Sequence, residues 1–503
     1  MSRKTFNPAL FIGAIAFLFL LSSAALAATV TVTNTADSGA GSLRSALTTA
    51  SSNDTITFNI PSNSAGCVNN DCTITLTSGE LSFPSGKNLT MDGGIVNVIT
   101  LKAGANSRVM NMINNGSRNV TLNRLVITSG APTNGNGGGI WFQSGGALTI
   151  SNSTISNNTV SAATGSGAGI YMANASGTLS ITSSTISGNK ITGPTGQGAG
   201  IWIGVAATII NCTVSGNTIT GINGNGGGIY LSGSSSPSSF DHLTITDNST
   251  AGVGGGVYAQ SFPVVTVRNT AIAGNSASGF GPDVAQTFTS DGYNVIGKND
   301  FSTGWVNGTN QDQVGTIASP IDPKLSVLTD LGGPTKTHTP LLGSPLIDHG
   351  KAFASTAATV DQRGYLRPVI ISTVTAPPGG NGSDVGAFEL QAPLAGEVSV
   401  SGRVTTANGM GIAKTTVMLI GGNAESKQAL TNPFGYYTFD GLDAGSTYVI
   451  SASSKQYVFV NPVRIFTAND AISGLDFTAV DQSVESKQSD DRAIIQSTLK
   501  RMP

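Results

Sequence analysis

Charge is what this chain has least of. Only 10% of its 503 residues are Asp, Glu, Lys or Arg, and 27 acids against 25 bases leave a net charge of −2. A nucleic-acid partner requires clustered Lys and Arg, so that class is excluded. Histidine and cysteine number three each. Neither falls into a metal-ligand spacing, and no Ser-His-Asp or Cys-His arrangement can be argued from so few, so no metal and no cofactor is expected. The acids are also unevenly placed. Between Gly93 and Phe240 there is not one Asp or Glu. Glycoside hydrolysis usually needs two carboxylates flanking the bond, and a calcium site needs several carboxylate oxygens, so that stretch carries neither. Low charge also marks polar disordered tracts, but 39% hydrophobic residues in short regular runs argue for a folded chain.

Long apolar runs are equally scarce. The clearest spans Leu10 to Leu21, preceded by Arg3 and Lys4 and followed by the small-x-small site Ala25-Leu26-Ala27. That is the pattern of a cleavable signal peptide over residues 1–27. An uncleaved anchor is the alternative, for which twelve apolar residues are short. The mature chain, 28–503, is expected to be exported to the extracellular space or cell surface, with no transmembrane segment. An oxidising compartment then permits a disulfide between Cys67 and Cys72, which enclose the polar loop VNND; two unpaired thiols near a turn are the alternative.

What the chain has in excess is glycine, 65 residues, and repetition. The stretch TNGNGGGIW (133–141) resembles a phosphate-cradling loop, but it recurs. The pairs Ile140-Trp141, Ile170-Tyr171, Ile201-Trp202, Ile229-Tyr230 and Val257-Tyr258 each follow a glycine, at spacings of 30, 31, 28 and 28 residues. A second phrase recurs between them: LTISNSTISNN, LSITSSTISGN, TIINCTVSGN, FDHLTITDN and VTVRNTAIAGN, with VTLNRLVITSG one coil upstream. A phosphate loop is needed once, before a helix N-terminus. These glycines precede strands and turn corners.

Aligned, the phrases give columns. Ile150, Ile181, Ile209, Phe240 and Val267 form one apolar column, and Ile155, Ile186, Val214, Ile245 and Ile272 another. Ser153, Ser184, Cys212, Leu243 and Thr270 share a face with the latter, which makes Cys212 an inward-facing small hydrophobe rather than a nucleophile. Asn158, Asn189, Asn217, Asn248 and Asn275 end their strands. Short β-branched strands every 28–31 residues predict a parallel β-solenoid, with like side chains stacked at the interstrand distance of about 4.8 Å and the Asn column hydrogen-bonded from coil to coil. Trp141, Tyr171, Trp202, Tyr230 and Tyr258 form an aromatic row. Its Ile or Val neighbours suit the narrow interior better, so the row is expected to face out as a binding candidate, an inward stack being the alternative.

The opening TVTVTNTADSGAGSLRSAL (29–47), ITLTSGELSF, and the repeats resemble bacterial right-handed β-helix surface proteins. The later motifs GYNVIG (292–297), LGGPTKTHTPLLGSPLIDHG (331–350), DQRGYLRP (361–368) and DVGAFEL (384–390) narrow the resemblance to the choice-of-anchor Q family, kin to polymorphic outer-membrane protein repeats, over residues 28–390. Many relatives begin Cys-Ser-Leu-Arg-Glu-Ala where this chain has Gly41-Ser42-Leu43-Arg44-Ser45-Ala46. The resemblance implies a right-handed parallel β-helix at the cell surface; the stacked outward rows of Ser, Thr and Asn, with no catalytic constellation, point to adhesion or binding, a structural spacer being an alternative. The partner would be a polysaccharide or a protein on a host or neighbouring cell.

The same fold also carries polysaccharide lyases and glycoside hydrolases. The candidate acids for such an activity are Asp241 and Asp247, with His242 between them and Arg268 one coil on. The blander expectation puts both acids at strand ends and corners, where Asp satisfies turn amides. Asp348-His349, Asp361, Arg363 and Asp384 are expected to form a salt-bridged C-terminal cap that closes the core and blocks edge pairing.

After the linker 391–397, seven short strands with turn signals predict an immunoglobulin-like sandwich over 398–480, so the fold class is all-β throughout. Its NPFGYYTFDGL segment resembles the carboxypeptidase-regulatory-like domain, a non-catalytic accessory in that family. Residues 481–503 form a polar tail with a short helix expected from Ser489.

Overall fold

The computed structural model describes residues 27–480, apart from 70, 96–97, 114–115, 174–175, 234–236, 261–263, 353–358, 372–373, 392–397, 422–424, 443–445 and 469. The signal-peptide segment before Ala27 and the tail helix lie outside the described residues.

The fold is a right-handed parallel β-solenoid followed by a β-sandwich. One coil shows the plan. Strand Ile140–Gln143 forms one side; Ala147–Ser151 and Thr154–Ser156 form a second, bent side; Thr159–Val160 starts a third. The chain then returns through a glycine-rich corner to Ile170–Ala173, which pairs in parallel and in register on Ile140–Gln143. Stacking builds one sheet of nine strands, one of five and a folded one of nineteen. The nine-stranded sheet counts the coils.

Register puts like on like. Ile150 pairs with Ile181, Ile181 with Ile209, Ile209 with Phe240 and Phe240 with Val267, all in the buried interior. The second column, Ile155 to Ile272, pairs the same way. Strand alternation sends the intervening residues outward. The bend within the folded sheet needs a left-handed residue in each coil: Arg124, Asn152, Ser183, Asn211, His242 and Asn269 all have positive φ. Asn tolerates that conformation best among non-glycine residues, and His is also enriched there.

The stretch Leu43–Thr49 is an α-helix, with the Ser42 hydroxyl accepting the Ser45 amide and Leu43, Ala46 and Leu47 buried against the first coil. It covers the leading end of the core. The disulfide Cys67–Cys72 closes a two-stranded antiparallel ribbon.

GYNVIG supplies a strand of the coils, Val295–Ile296, but the motifs from 331 to 390 do not plug the far end of the solenoid as expected of a cap. They run back along its flank as a strap. Thr335 donates to the Ser183 carbonyl, Asn211 to the Val360 carbonyl, and Asn269 and Lys351 exchange two hydrogen bonds. The expected ion pairs lie inside the strap and fasten it to itself. The Arg363 guanidinium pairs with Asp361 at 2.9 Å and packs over the Phe388 ring at 3.5 Å.

Among the described residues of the sandwich, the strands form two four-stranded sheets, eight strands rather than the seven expected. The phrase YVFVNPVRIFT divides at Asn461-Pro462. Val458–Phe459 pairs in one sheet and Val463–Thr467 in the other, because Pro cannot continue a ladder and marks the crossing.

Candidate functional site

The candidate residues of the coils lie in buried polar columns, an outer aromatic row and a buried cluster around Asp241. The first is the Asn column, wholly buried. Each Nδ2 donates to the next Oδ1 at 2.9 Å: Asn158 to Asn189, Asn189 to Asn217, Asn217 to Asn248, Asn248 to Asn275. Each backbone amide donates to the same oxygen, and each Nδ2 also reaches a carbonyl of the preceding coil, such as Asn217 to Ile186 at 3.0 Å. A one-way chain of donors must end on an acceptor. Asp283 fills that place, taking the Asn275 amide nitrogens at 2.8 and 2.9 Å. Burial pushes the Asp283 carboxyl up to about 6, against the lowering effect of the Asn275 bonds.

The column Ser153, Ser184, Cys212, Leu243 and Thr270 runs beside it and is buried. It continues to Asn294 and ends likewise on an acid, Asp312, which accepts from Asn294 at 2.9 and 3.0 Å. Burial drives the Cys212 thiol up to about 12, so it holds its proton.

The Asn column also explains the repeated glycine before each aliphatic-aromatic pair. A Cβ on Gly139, Gly169, Gly200, Gly228 or Gly256 would meet an Asn amide of the column at 2.8–3.1 Å. Those glycines make room for the carbonyl of the next coil, 2.5–2.6 Å from such a Cβ, as well as for the asparagines, while Gly137, Gly167, Gly198, Gly226 and Gly254, at positive φ, turn the corner.

The second feature is the aromatic row on the outer face of the nine-stranded sheet, with Ile140, Ile170, Ile201, Ile229 and Val257 inside. Register aligns all five rings. Tyr171 stacks on Trp202 at 4.5 Å and Tyr230 on Tyr258 at 5.3 Å; Trp202 and Tyr230 are parallel at 6.3 Å. Trp141 meets Tyr171 edge-on, and Arg108, paired with Glu80 at 2.6 Å, covers the Trp141 face at 4.6 Å. The rings spend their faces on one another and the corner loops half-cover them, with Tyr230 only 3% exposed. Burial and the neighbouring Tyr258 push the Tyr230 phenol up to about 12. A sugar stacks on a ring face, and this row turns its edges to solvent.

The third is the group around Asp241. Asp241 is not at a strand end: it lies within Ser238–Thr246, one residue before the bend, and is 3% exposed. Its Oδ2 accepts from Arg268 at 2.8 Å and its Oδ1 lies 2.7 Å from His242 Nδ1. Burial favours the acid form, yet His242 and Arg268 together hold the carboxyl at about 2. Burial, then the Arg367 charge, pushes His242 down to about 4, so the ring is neutral at pH 7 and Arg268 supplies the counter-charge. Asp247 is exposed and occupies the left-handed turn position taken by Asn157, Gly188, Gly216 and Gly274 in other coils. The two acids therefore do not flank a common space. A general acid needs a raised pKa, and Asp241 has the reverse.

The strap fastens to this flank beside Asp241, where Lys351 exchanges two hydrogen bonds with Asn269, and again on neighbouring coils. Thr185 donates to the Lys336 carbonyl, Thr213 to Gln362, and His338 Nε2 lies 2.8 Å from Ser215 Oγ. Gln362 also bonds Thr185 and Thr335 at 2.8 Å. Asp348 and Asp384 accept strap amides from Ile371 and Asp348, and Glu389 accepts from Val369 and Asp384. These acids pin loops. Among the described residues, no three His, Cys, Asp or Glu gather as a metal site, and no helix is long and apolar enough to cross a membrane.

Comparison with known proteins agrees with this geometry. Residues 115–313 match the family described as right handed beta helix region, and residues 399–480 match the carboxypeptidase regulatory-like domain. No curated protein matches the chain at a significant level.

Proposed function

We propose that the chain is an exported, non-catalytic surface protein of the choice-of-anchor Q kind, whose solenoid binds a polysaccharide or a protein on another cell and whose sandwich is an accessory module. One observation carries this reading. The outward Ser, Thr and Asn columns of the bent sheet repeat coil after coil, and over part of their length they already hold the strap, several of whose backbone groups bond them. A flank built to hold a chain is binding chemistry. Asp241, the acid on which a hydrolytic reading would rest, is buried with its charge committed to Arg268.

The test is retention of residues 28–503 on acidic and neutral polysaccharides and on intact cells, with reducing ends and unsaturated uronate followed in parallel. Retention without product is expected, and Asp241→Asn leaves retention in place. Product formation lost in Asp241→Asn overturns the reading in favour of an enzyme. Neither retention nor product leaves a spacer.

A further inference from the structure

The strap covers only part of the flank. Along one outward column, Thr154 is half-buried, Thr185 is 1% exposed, Thr213 0% and Thr244 2%. Beside it, Ser156 and Ser187 are half-buried while Ser215 is 2% exposed. Chemistry does not change along these columns; cover does. Where the strap lies, its backbone meets the columns directly: the Lys336 carbonyl takes the Thr185 hydroxyl, the Ala387 amide donates to Thr244 Oγ1, and the Val360 carbonyl takes the Asn211 amide. Below Thr154 and Ser156 the columns run on through Val126, Thr100 and Thr73 and through Thr128, Lys102 and Thr75, mostly hydroxyls and none of them buried.

At the boundary lies a groove of about 360 Å³. Its floor is Val126, Thr154 and Ser156. Its wall is the tip of the strap hairpin, including Leu328, Gly333 and Pro334, and the exposed Asp330 and Lys336 stand at its rim. The hairpin itself is closed by the Thr329–Thr337 pair of backbone hydrogen bonds, so the wall is held in place.

We infer that this groove and the uncovered hydroxyl columns below it bind an extended, weakly charged polypeptide segment of a partner protein, laid along the solenoid as a continuation of the strap. The site deepens the binding reading above and rests on it. Two features select a peptide over a glycan. The floor hydroxyls have the spacing and direction that pair with backbone N–H and C=O groups one coil further on. No aromatic ring is among the lining residues, so a sugar face has no platform.

The probe is a fluorescent synthetic peptide with the sequence of residues 332–340, GGPTKTHTP, titrated by anisotropy into the chain 28–503. Its counterpart positions on the covered coils are occupied by the strap itself, which leaves the uncovered flank to receive it. The expected result is saturable binding, displaced by unlabelled peptide, weakened at least tenfold by Thr154→Arg and by Ser156→Arg, and unchanged by Gln143→Arg on the nine-stranded sheet. All three positions point outward, and equal melting temperatures verify that each variant folds. Non-saturable binding, equal weakening by all three, or displacement by neutral oligosaccharide overturns the site. A chain retained on polysaccharide or cells but blind to the peptide sinks this site and spares the binding reading. A chain that holds neither sinks both.

Discussion

Replacing Asn217 in the middle of the amide column tests the architecture most directly. Asn217→Ala removes four hydrogen bonds: those accepted from Asn189 N at 3.0 Å and Asn189 Nδ2 at 2.9 Å, and those donated to Asn248 Oδ1 at 2.9 Å and the Ile186 carbonyl at 3.0 Å. A buried hydrogen bond contributes about 1 kcal/mol net, and a buried group left unpaired costs about 1–3 kcal/mol. The Asn248 oxygen keeps the Asn217 backbone amide, and Asn189 Nδ2 keeps the Ile155 carbonyl. That leaves Asn189 N–H and the Ile186 carbonyl as the exposed losses, for a total of roughly 3–6 kcal/mol. Asn217→Asp is the sharper variant. It keeps the acceptor for Asn189 but turns an oxygen toward Asn248 Oδ1, so it is expected to match or exceed the alanine loss at pH 7. The deficit shrinks toward pH 4, where the buried acid protonates and regains a donor. Denaturant unfolding gives the global cost, and hydrogen exchange reports whether the coils on either side open locally. An alanine cost under about 0.5 kcal/mol, or an Asn217→Asp variant as stable as the parent at pH 7, refutes the column as a structural spine.

Other expectations follow from the same geometry. Asp283, at the end of the column, has its folded pKa raised to about 6 from 3.8, so its favourable contribution is full below about pH 4 and lost as pH rises through about 6. The parent should lose about 3 kcal/mol at this site between pH 4 and 7 relative to Asp283→Asn, which keeps the Oδ1 acceptor; parallel pH–stability curves for the two would contradict this. Gly200→Ala drives a Cβ to 2.5 Å from the Gly228 carbonyl oxygen and 3.1 Å from Asn217 Nδ2, so a loss of about 1–3 kcal/mol is expected in thermal unfolding. Reducing Cys67–Cys72, separated by five positions, should cost about 2 kcal/mol, because a short loop restricts the unfolded chain only modestly. Arg363→Ala strips the guanidinium from Asp361, the Glu389 carbonyl and the Phe388 face, and limited proteolysis should then cut the strap well before the coils.

The coils were legible because a solenoid interior imposes the same demand at the same place in every turn. Ile150, Ile181 and Ile209 fill one shelf, Asn189 and Asn217 one rung each, and the constraint repeats as a period in the sequence. The short helix Leu43–Thr49 was not legible: it occurs once and is only two turns long, and its signals, a Ser42 cap and the apolar trio Leu43, Ala46 and Leu47, are common in strands and loops alike. The sandwich strand count missed by one because Pro462 divides a run that looks continuous in composition. His242 stands beside the candidate acid Asp241 in the sequence. Its alignment with Asn152, Asn211 and Asn269 carried the other signal, a position that needs a left-handed residue.

The strap left no such trace, and the reason bears on function. Its contacts join residues as far apart as Thr185 and Gln362, and most pair a side chain on the coils with backbone on the strap. Backbone carries no sequence signature, so these contacts leave no period to read, even though Gln362 and His338 add side-chain bonds to Thr213 and Ser215. Where backbone makes the contact, the hydroxyl and amide columns specify a conformation rather than a sequence. Affinity for a partner held this way rests on many modest hydrogen bonds spread over successive coils, and removing any one hydroxyl changes little. Thr154→Ala alone should leave the peptide's affinity within about threefold, since a partly solvated hydroxyl contributes well under 1 kcal/mol, whereas the bulk of Thr154→Arg obstructs the whole track. A large effect of the alanine variant would instead mark Thr154 as a dominant single contact, and the flank would then act as a pocket rather than as a rail.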